Sequence, residues 1–154
     1  MKAVILAVDT AIYQNLKEDK NTAVVKRMLE QVGFRIEMEK AIPRDFDVVK
    51  AIAARVVEEE LGDLIITIGG IECQTEDCVP EAIKAIFDME VPGIAESMRA
   101  YMIRTSKNAM LSRGVSGIRR KTVIINLPDR TNMMKDVLDY VLPELVELVE
   151  MLKG

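Results

Sequence analysis

Histidine and tryptophan are both missing from this chain of 154 residues, and cysteine occurs only twice. Without histidine there is no Ser-His-Asp triad, no Cys-His pair and no HExxH metal site. Proton transfer falls to Asp, Glu, Lys, Tyr, Cys or bound water. Developing charge has to be met by Lys, Arg, backbone N–H groups or a metal held by oxygen ligands. Cys73 and Cys78 read as two reduced thiols beside a loop, since a disulfide would be unusual in a cytosolic protein. Zinc would need two thiolates plus carboxylates, outside the common structural ligand sets. No apolar run approaches the roughly 20 residues that span a membrane. No small-residue cleavage site follows Met1-Lys2, so no signal peptide is expected and the cytoplasm is the expected compartment. The net charge is −4 with no long basic run, which argues against a general nucleic-acid binder.

What is present is the composition of a globular protein, 49% hydrophobic and 30% charged. The length suits one domain, residues 1–154, with a full core. Ala3 to Val8 is a short apolar run ending at Asp9, the pattern of a buried parallel strand. Asp19 is placed to cap a helix over 21–32 that stops at Gly33. Residues 34–42 alternate apolar and charged, which predicts a strand ended by Pro43. Asp45 or Asp47 caps the next helix, which Gly62 closes. Leu64 to Thr67 is a third strand. Strand, helix, strand, helix, strand within about 70 residues predicts a three-layer α/β/α sandwich with a mostly parallel sheet. Pro80 opens a helix continuing through Ala82 to Phe87. Val91-Pro92-Gly93 breaks it, and 94–104 is helical again. Val115 to Ile118 either pairs with the strand 122–128 as a hairpin or forms a short edge strand. A long terminal helix over 132–152 carries one wide apolar stripe.

The segment 67–82 carries the chemistry, because strand, Gly-Gly, loop, helix is how open α/β sheets build ligand sites at the carboxyl ends of their strands. Gly69-Gly70 reads as a tight turn or as a ligand loop; it is not a P-loop, since no Lys-Ser or Lys-Thr follows. Asp77 reads as a helix-dipole acid or as a Mg²⁺ ligand, Mg²⁺ favouring one or two carboxylates plus phosphate oxygens. Asp9 ends the first strand on the same side. Arg113, in Ser112-Arg113-Gly114, reads as a surface arginine or as a phosphate clamp. Asn126, before Pro128, falls at the same sheet edge as Gly69 and Asp9, so the three are expected to face one pocket. The loop between the glycines and Pro80 holds acids and no Lys or Arg. A carboxylate about 4 Å from a phosphate charge costs roughly 1 kcal/mol in water and about 4 at an effective dielectric near 20.

These segments together resemble the molybdenum cofactor biosynthesis proteins of the MogA/MoaB type, also found as the G domain of gephyrin-like proteins. The resemblance runs nearly the length of the chain in the same motif order. It rests on Leu6 to Asp9 with Glu18-Asp19-Lys20, on Asp63 to Gly70 followed by Asp77 and Pro80-Glu81-Ala82, and on Val91-Pro92-Gly93 with Glu96-Ser97-Met98-Arg99. Ala109 to Gly117 and Ile124-Ile125-Asn126-Leu127-Pro128 match almost letter for letter.

The resemblance implies a molybdopterin-binding protein that transfers AMP from Mg-ATP to the molybdopterin phosphate. Its ligands would be a pterin and a nucleotide, and its state a homo-oligomer, trimer or hexamer. It implies that Gly69 and Gly70 line the phosphate or pterin pocket, and that Asp77 organises Mg²⁺ or the reacting phosphates. Ser112 and Arg113 would touch the pterin, Asn126 and Pro128 would shape the nucleotide edge, and Asp9 and Glu81 would border the ligand. The departures fall in the loops. Ile71-Glu72 stand for the family's Thr-Gly, Glu76 for its Arg, Val79 for its Thr, Arg44 for its acid after Ile-Pro, and Asp129-Arg130-Thr131 for the end of its Pro-Gly-Ser-Pro loop. Arg44 and Arg130 are the cations available to relocate the lost positive charge. The alternative reading is a non-catalytic paralogue, an oligomeric binding or scaffold protein with an altered ligand.

Overall fold

The computed structural model describes all residues 1–154. Its frame is one six-stranded sheet: β1 (Lys2–Val8), β2 (Arg35–Ile42), β3 (Leu64–Ile68), β4 (Met89–Glu90), β5 (Ser116–Arg119) and β6 (Thr122–Leu127), in the order β2-β1-β3-β6-β5-β4. The first four in that order pair in parallel, while β5 and β4 run antiparallel at one edge. The helices are α1 (Thr10–Tyr13), α2 (Thr22–Gln31), α3 (Phe46–Glu58), α4 (Val79–Lys84), α5 (Pro92–Ile103) and α6 (Thr131–Lys153), with a 3₁₀ turn at Lys107–Leu111.

Alternation in the central strands sorts their side chains to two faces. Ala3, Ile5, Leu64, Ile66, Val123 and Ile125 pack with α2, α5 and α6. Val4, Leu6, Ile65 and Ile124 pack with α3 and α4. Two cores on one sheet make the three-layer α/β/α sandwich that the strand–helix alternation predicts. No helix is long and apolar enough to cross a membrane.

Several boundaries follow the sequence closely. Asp19 accepts from the backbone N–H groups of Asn21 and Thr22 at the start of α2. Asp45, not Asp47, caps α3 through Val48 N–H. β5 and β6 form the hairpin, turning at Arg120. Others differ. Gly62 does not close α3: the left-handed position is taken by Glu60 (φ 54°), and Gly62 instead lies where an added Cβ would crowd Val4 and the Leu64 carbonyl at 3.3 Å. The helix from Pro80 stops at Lys84, short of Phe87. Pro92 opens α5 rather than breaking a helix, because the first helical position has no intrahelical use for an N–H. α1 and the two-residue β4 carry no periodicity long enough to announce them.

From β1 the chain crosses to β2 on one side, and from β3 to β6 on the other. The adjacent carboxyl ends of β1 and β3 are therefore the switch point, where crevices open in sheets of this kind. Asp9 and Gly69 stand there.

Candidate functional site

Two depressions lie along the carboxyl edge of the parallel strands, and Asp129 belongs to the walls of both. The larger, about 380 Å³, is bordered by Asp9, Lys17, Asp19, Lys20, Asn21 and Thr131. The smaller, about 30 Å³, is bordered by Gly69, Gly70, Ser112, Pro128, Arg130 and the side chains of Met102 and Met133.

Between them runs a ridge built on glycine. Gly69 has φ 89°, and its N–H donates to the Leu127 carbonyl at 2.9 Å. An added Cβ would stand 3.1 Å from the Val8 carbonyl, 3.3 Å from Arg44 Nη2 and 3.4 Å from Asp129 Oδ2. The missing side chain is what lets these groups meet. Arg44 reaches this point from just beyond β2. Its Nε donates to the Val8 carbonyl at 3.0 Å and Nη2 to Asp129 Oδ2 at 3.2 Å, and Nη1 lies 3.6 Å from Asp77 Oδ1.

Asp77 lies behind the ridge with its side chain 3% exposed. Its Oδ2 accepts from Gln74 N–H at 2.8 Å, and Oδ1 faces Arg44. No group of three or more acidic or thiol side chains converges to hold a metal. Asp77, the carboxylate expected to organise Mg²⁺ or the reacting phosphates, is thus turned towards Arg44 and the loop backbone.

Arg113 lies beneath the loop. Nε donates to the Glu72 carbonyl and Nη2 to the Asp77 carbonyl, both at 2.6 Å, and Nη1 pairs with Glu81 Oε2 at 2.6 Å. Its own N–H donates to the Ile71 carbonyl at 2.8 Å. Hydrogen bonding to Glu81 raises the guanidinium's pKa further, outweighing partial burial. Arg113 and Glu81 thus tie loop 71–78 to the body of the protein. Arg99 does the same for the neighbouring segment, donating to the Gly114 carbonyl at 2.7 Å.

Asn126 is buried on the α3 and α4 side of β6. Its Oδ1 accepts from Val115 N–H at 2.9 Å and its Nδ2 donates to Thr67 Oγ1 at 2.8 Å. Asn126, Gly69 and Asp9 do share one sheet edge, but they do not face one pocket: Gly69 borders the small depression, Asp9 the large one, and Asn126 neither. Asp9 caps α1 through the N–H groups of Ala11 and Ile12 and pairs with Lys17 at 3.1 Å. Burial pushes its carboxyl up, but the Ile12 N–H, Lys17 and Arg44 outweigh burial and hold it below the usual carboxylate range.

The residues that depart from the family separate into two kinds. Ile71 and Val79 are buried members of the core on the α3 and α4 face. Glu72 and Glu76 are exposed; Glu72 stands at the rim of the small depression and Glu76 borders neither depression. With both carboxylates in water, the high-dielectric repulsion of about 1 kcal/mol is the relevant one. Arg44 and Asp129 are the principal members that motif spacing did not bring to this place. The clue was Arg44 standing where the family has an acid.

The family model described as "Probable molybdopterin binding domain" matches residues 4–147. This chain belongs to that family. It is 29% identical over 144 residues to the molybdopterin adenylyltransferase of Helicobacter pylori strain J99, covering 93% of this chain and 80% of that protein. The Haemophilus influenzae molybdopterin adenylyltransferase is also 29% identical, with 92% and 73% covered. Among solved structures, the molybdopterin biosynthesis enzyme MoaB from Thermus thermophilus superposes with a TM-score of 0.91 at 32% identity, covering 99% of this chain and 96% of that one. A molybdopterin biosynthesis protein from Mycobacterium abscessus gives 0.92 at 25% identity, with 98% and 95% covered. As a member of the molybdopterin-binding-domain family, the chain keeps that family's α/β sandwich and mostly parallel sheet.

Proposed function

We propose that this protein acts in molybdenum cofactor biosynthesis, binding molybdopterin and transferring AMP from ATP to the molybdopterin phosphate. The observation that carries this reading is the ridge of Gly69, Arg44 and Asp129 between two depressions that share the Asp129 wall. The product of such a transfer has two bulky halves joined by a diphosphate. One half would lie on each side of the ridge, with the linking phosphates over Gly69 and within reach of Arg44. A phosphate oxygen of molybdopterin attacks the α-phosphorus of ATP and pyrophosphate leaves. The protein's contribution is positioning and charge compensation, which carry most of the catalysis of phosphoryl-type transfers.

On this reading Gly69, Gly70, Ser112 and Pro128 contact ligand in the small depression, which has to widen to admit a ring. Asp9 and the loop after it border the other half. Asp77, Arg113, Glu81 and Asn126 are positioning residues that hold the loops. Mg²⁺ arrives with the ATP phosphates. On this reading the protein also acts as a homo-oligomer, a trimer or hexamer.

Incubation of the purified protein with molybdopterin and Mg-ATP tests the activity. Adenylylated molybdopterin and pyrophosphate in equal amounts are expected. Failure of both ATP and molybdopterin to bind at millimolar concentration would overturn the proposal. Light scattering on the eluted protein tests the oligomer.

A further inference from the structure

A phosphate-handling site ordinarily holds a divalent cation by one or two carboxylates plus phosphate oxygens. In this protein the two candidate carboxylates, Asp77 and Asp129, each face a nitrogen of one guanidinium. The Arg44 guanidinium lies 3.2 Å from Asp129 Oδ2 and 3.6 Å from Asp77 Oδ1. It is held there independently of either acid by the Nε bond to the Val8 carbonyl at 3.0 Å, and the Arg44 backbone N–H is fixed by donating to Thr10 Oγ1 at 2.9 Å. Gly69 leaves the room for it, since a Cβ there would press on Nη2 at 3.3 Å. Its side chain is 20% exposed, against 3% for Asp77 and 37% for Asp129.

We infer that Arg44 is the resident cation of this site: it spans Asp77 and Asp129 over Gly69, fills the place a divalent metal would take between them, and leaves the free protein unable to load a metal there. A planar guanidinium serves two acids at once and cannot be deprotonated at working pH. A metal entering between the acids has to expel a charge that two hydrogen bonds and the Asp77 carboxylate hold in place. Any divalent cation used in the reaction proposed above therefore enters already bound to the nucleotide phosphates. That last step rests on the adenylyl-transfer reading; the occupancy of that place by Arg44 does not.

The identity of the resident cation is tested by titrating the protein with Mn²⁺ alone, with no pterin or nucleotide present, and counting bound ions by electron paramagnetic resonance. The wild-type protein is expected to take up no Mn²⁺ that is sensitive to Asp77→Asn. Arg44→Gln, which removes the charge, is expected to gain one bound Mn²⁺ per chain where the wild type has none, and the added substitution Asp77→Asn is expected to abolish that binding. Arg44→Lys keeps the charge and is expected to behave as wild type. An Asp77-dependent Mn²⁺ on the wild-type protein overturns the inference, as does a folded Arg44→Gln protein that gains none. If Arg44→Gln does not fold, the wild-type titration with its Asp77→Asn control decides alone. Because the titration contains no substrate, its failure is separate from any failure of the adenylyl-transfer assay.

Discussion

Val79 occupies the space beside Gly70: its Cγ2 lies 2.7 Å from the point where a Cβ on residue 70 would stand. Gly70 also has φ 73°, a conformation that costs an L side chain about 1–3 kcal/mol. The turn and the first residue of α4 therefore exclude a side chain together. Gly70→Ala is expected to lose about 2–4 kcal/mol, the strain plus overpacking of a fully buried valine. Urea denaturation measures it. Adding Val79→Ala should return only the packing part, since the backbone strain remains.

Arg113 holds both ends of the acidic loop, so its loss should be felt there first. Its pair with Glu81 is half exposed and is worth at most about 1 kcal/mol. Its bonds to the Glu72 and Asp77 carbonyls use a charged donor, each worth about 1.5–3 kcal/mol where it is shielded from water. Arg113→Ala is expected to speed amide exchange in residues 72–78 while leaving the central strands protected. Arg113→Lys should recover little, because one ammonium cannot serve three acceptors in a fixed fork.

Asp9 links the site to acid stability. Its folded pKa is depressed, with the bonds from Ile12 and Lys17 outweighing burial. A depressed carboxylate contributes stability that is present above its unfolded pKa and is lost as pH falls through the folded value. Asp9→Ala is expected to cost about 1 kcal/mol at neutral pH, the usual worth of a helix cap. The difference from wild type should shrink below about pH 4. Thermal melts from pH 7 down to pH 3 would show it, and a constant difference across that range would rule the linkage out.

The two cysteines are both free, with Cys73 exposed and Cys78 half-buried. Burial pushes the Cys78 thiol up, and the nearby carboxylates of Asp45, Glu81 and Asp77 add to it. Because the thiolate is the reactive form, a thiol reagent at pH 7.5 is expected to show one fast and one slow reaction per chain. Cys73→Ser should remove the fast one.

Long apolar runs and spaced helical positions were legible because their burial is local in sequence. β1, β3, β6 and α6 stand where periodicity puts them. β4 was not legible: Met89 and Glu90 are strand only because Ile118 and Gly117 pair with them. Gly62 carries the usual stop signal, but the chain turned two residues earlier, at Glu60. In the site, the Gly69-Gly70 turn was legible from glycine's tolerance of positive φ. Arg44 was visible only as a misplaced charge, because its partners Asp77 and Asp129 are brought to it by strand order rather than by spacing. The four bonds of Arg113 were equally hidden, since each joins it to residues more than 30 positions away.

That clamp has a consequence for how this protein can change over generations. The chain enters the loop at Ile71 and leaves it at Asp77, and the same arginine grips a carbonyl at each end. The residues from Glu72 to Glu76 between them are all exposed. Mutation can rewrite those positions freely while the anchored ends keep the sandwich folded. The exposed stretch after the Gly69-Gly70 turn is thus where the surface chemistry beside the two depressions can vary at least risk to the fold.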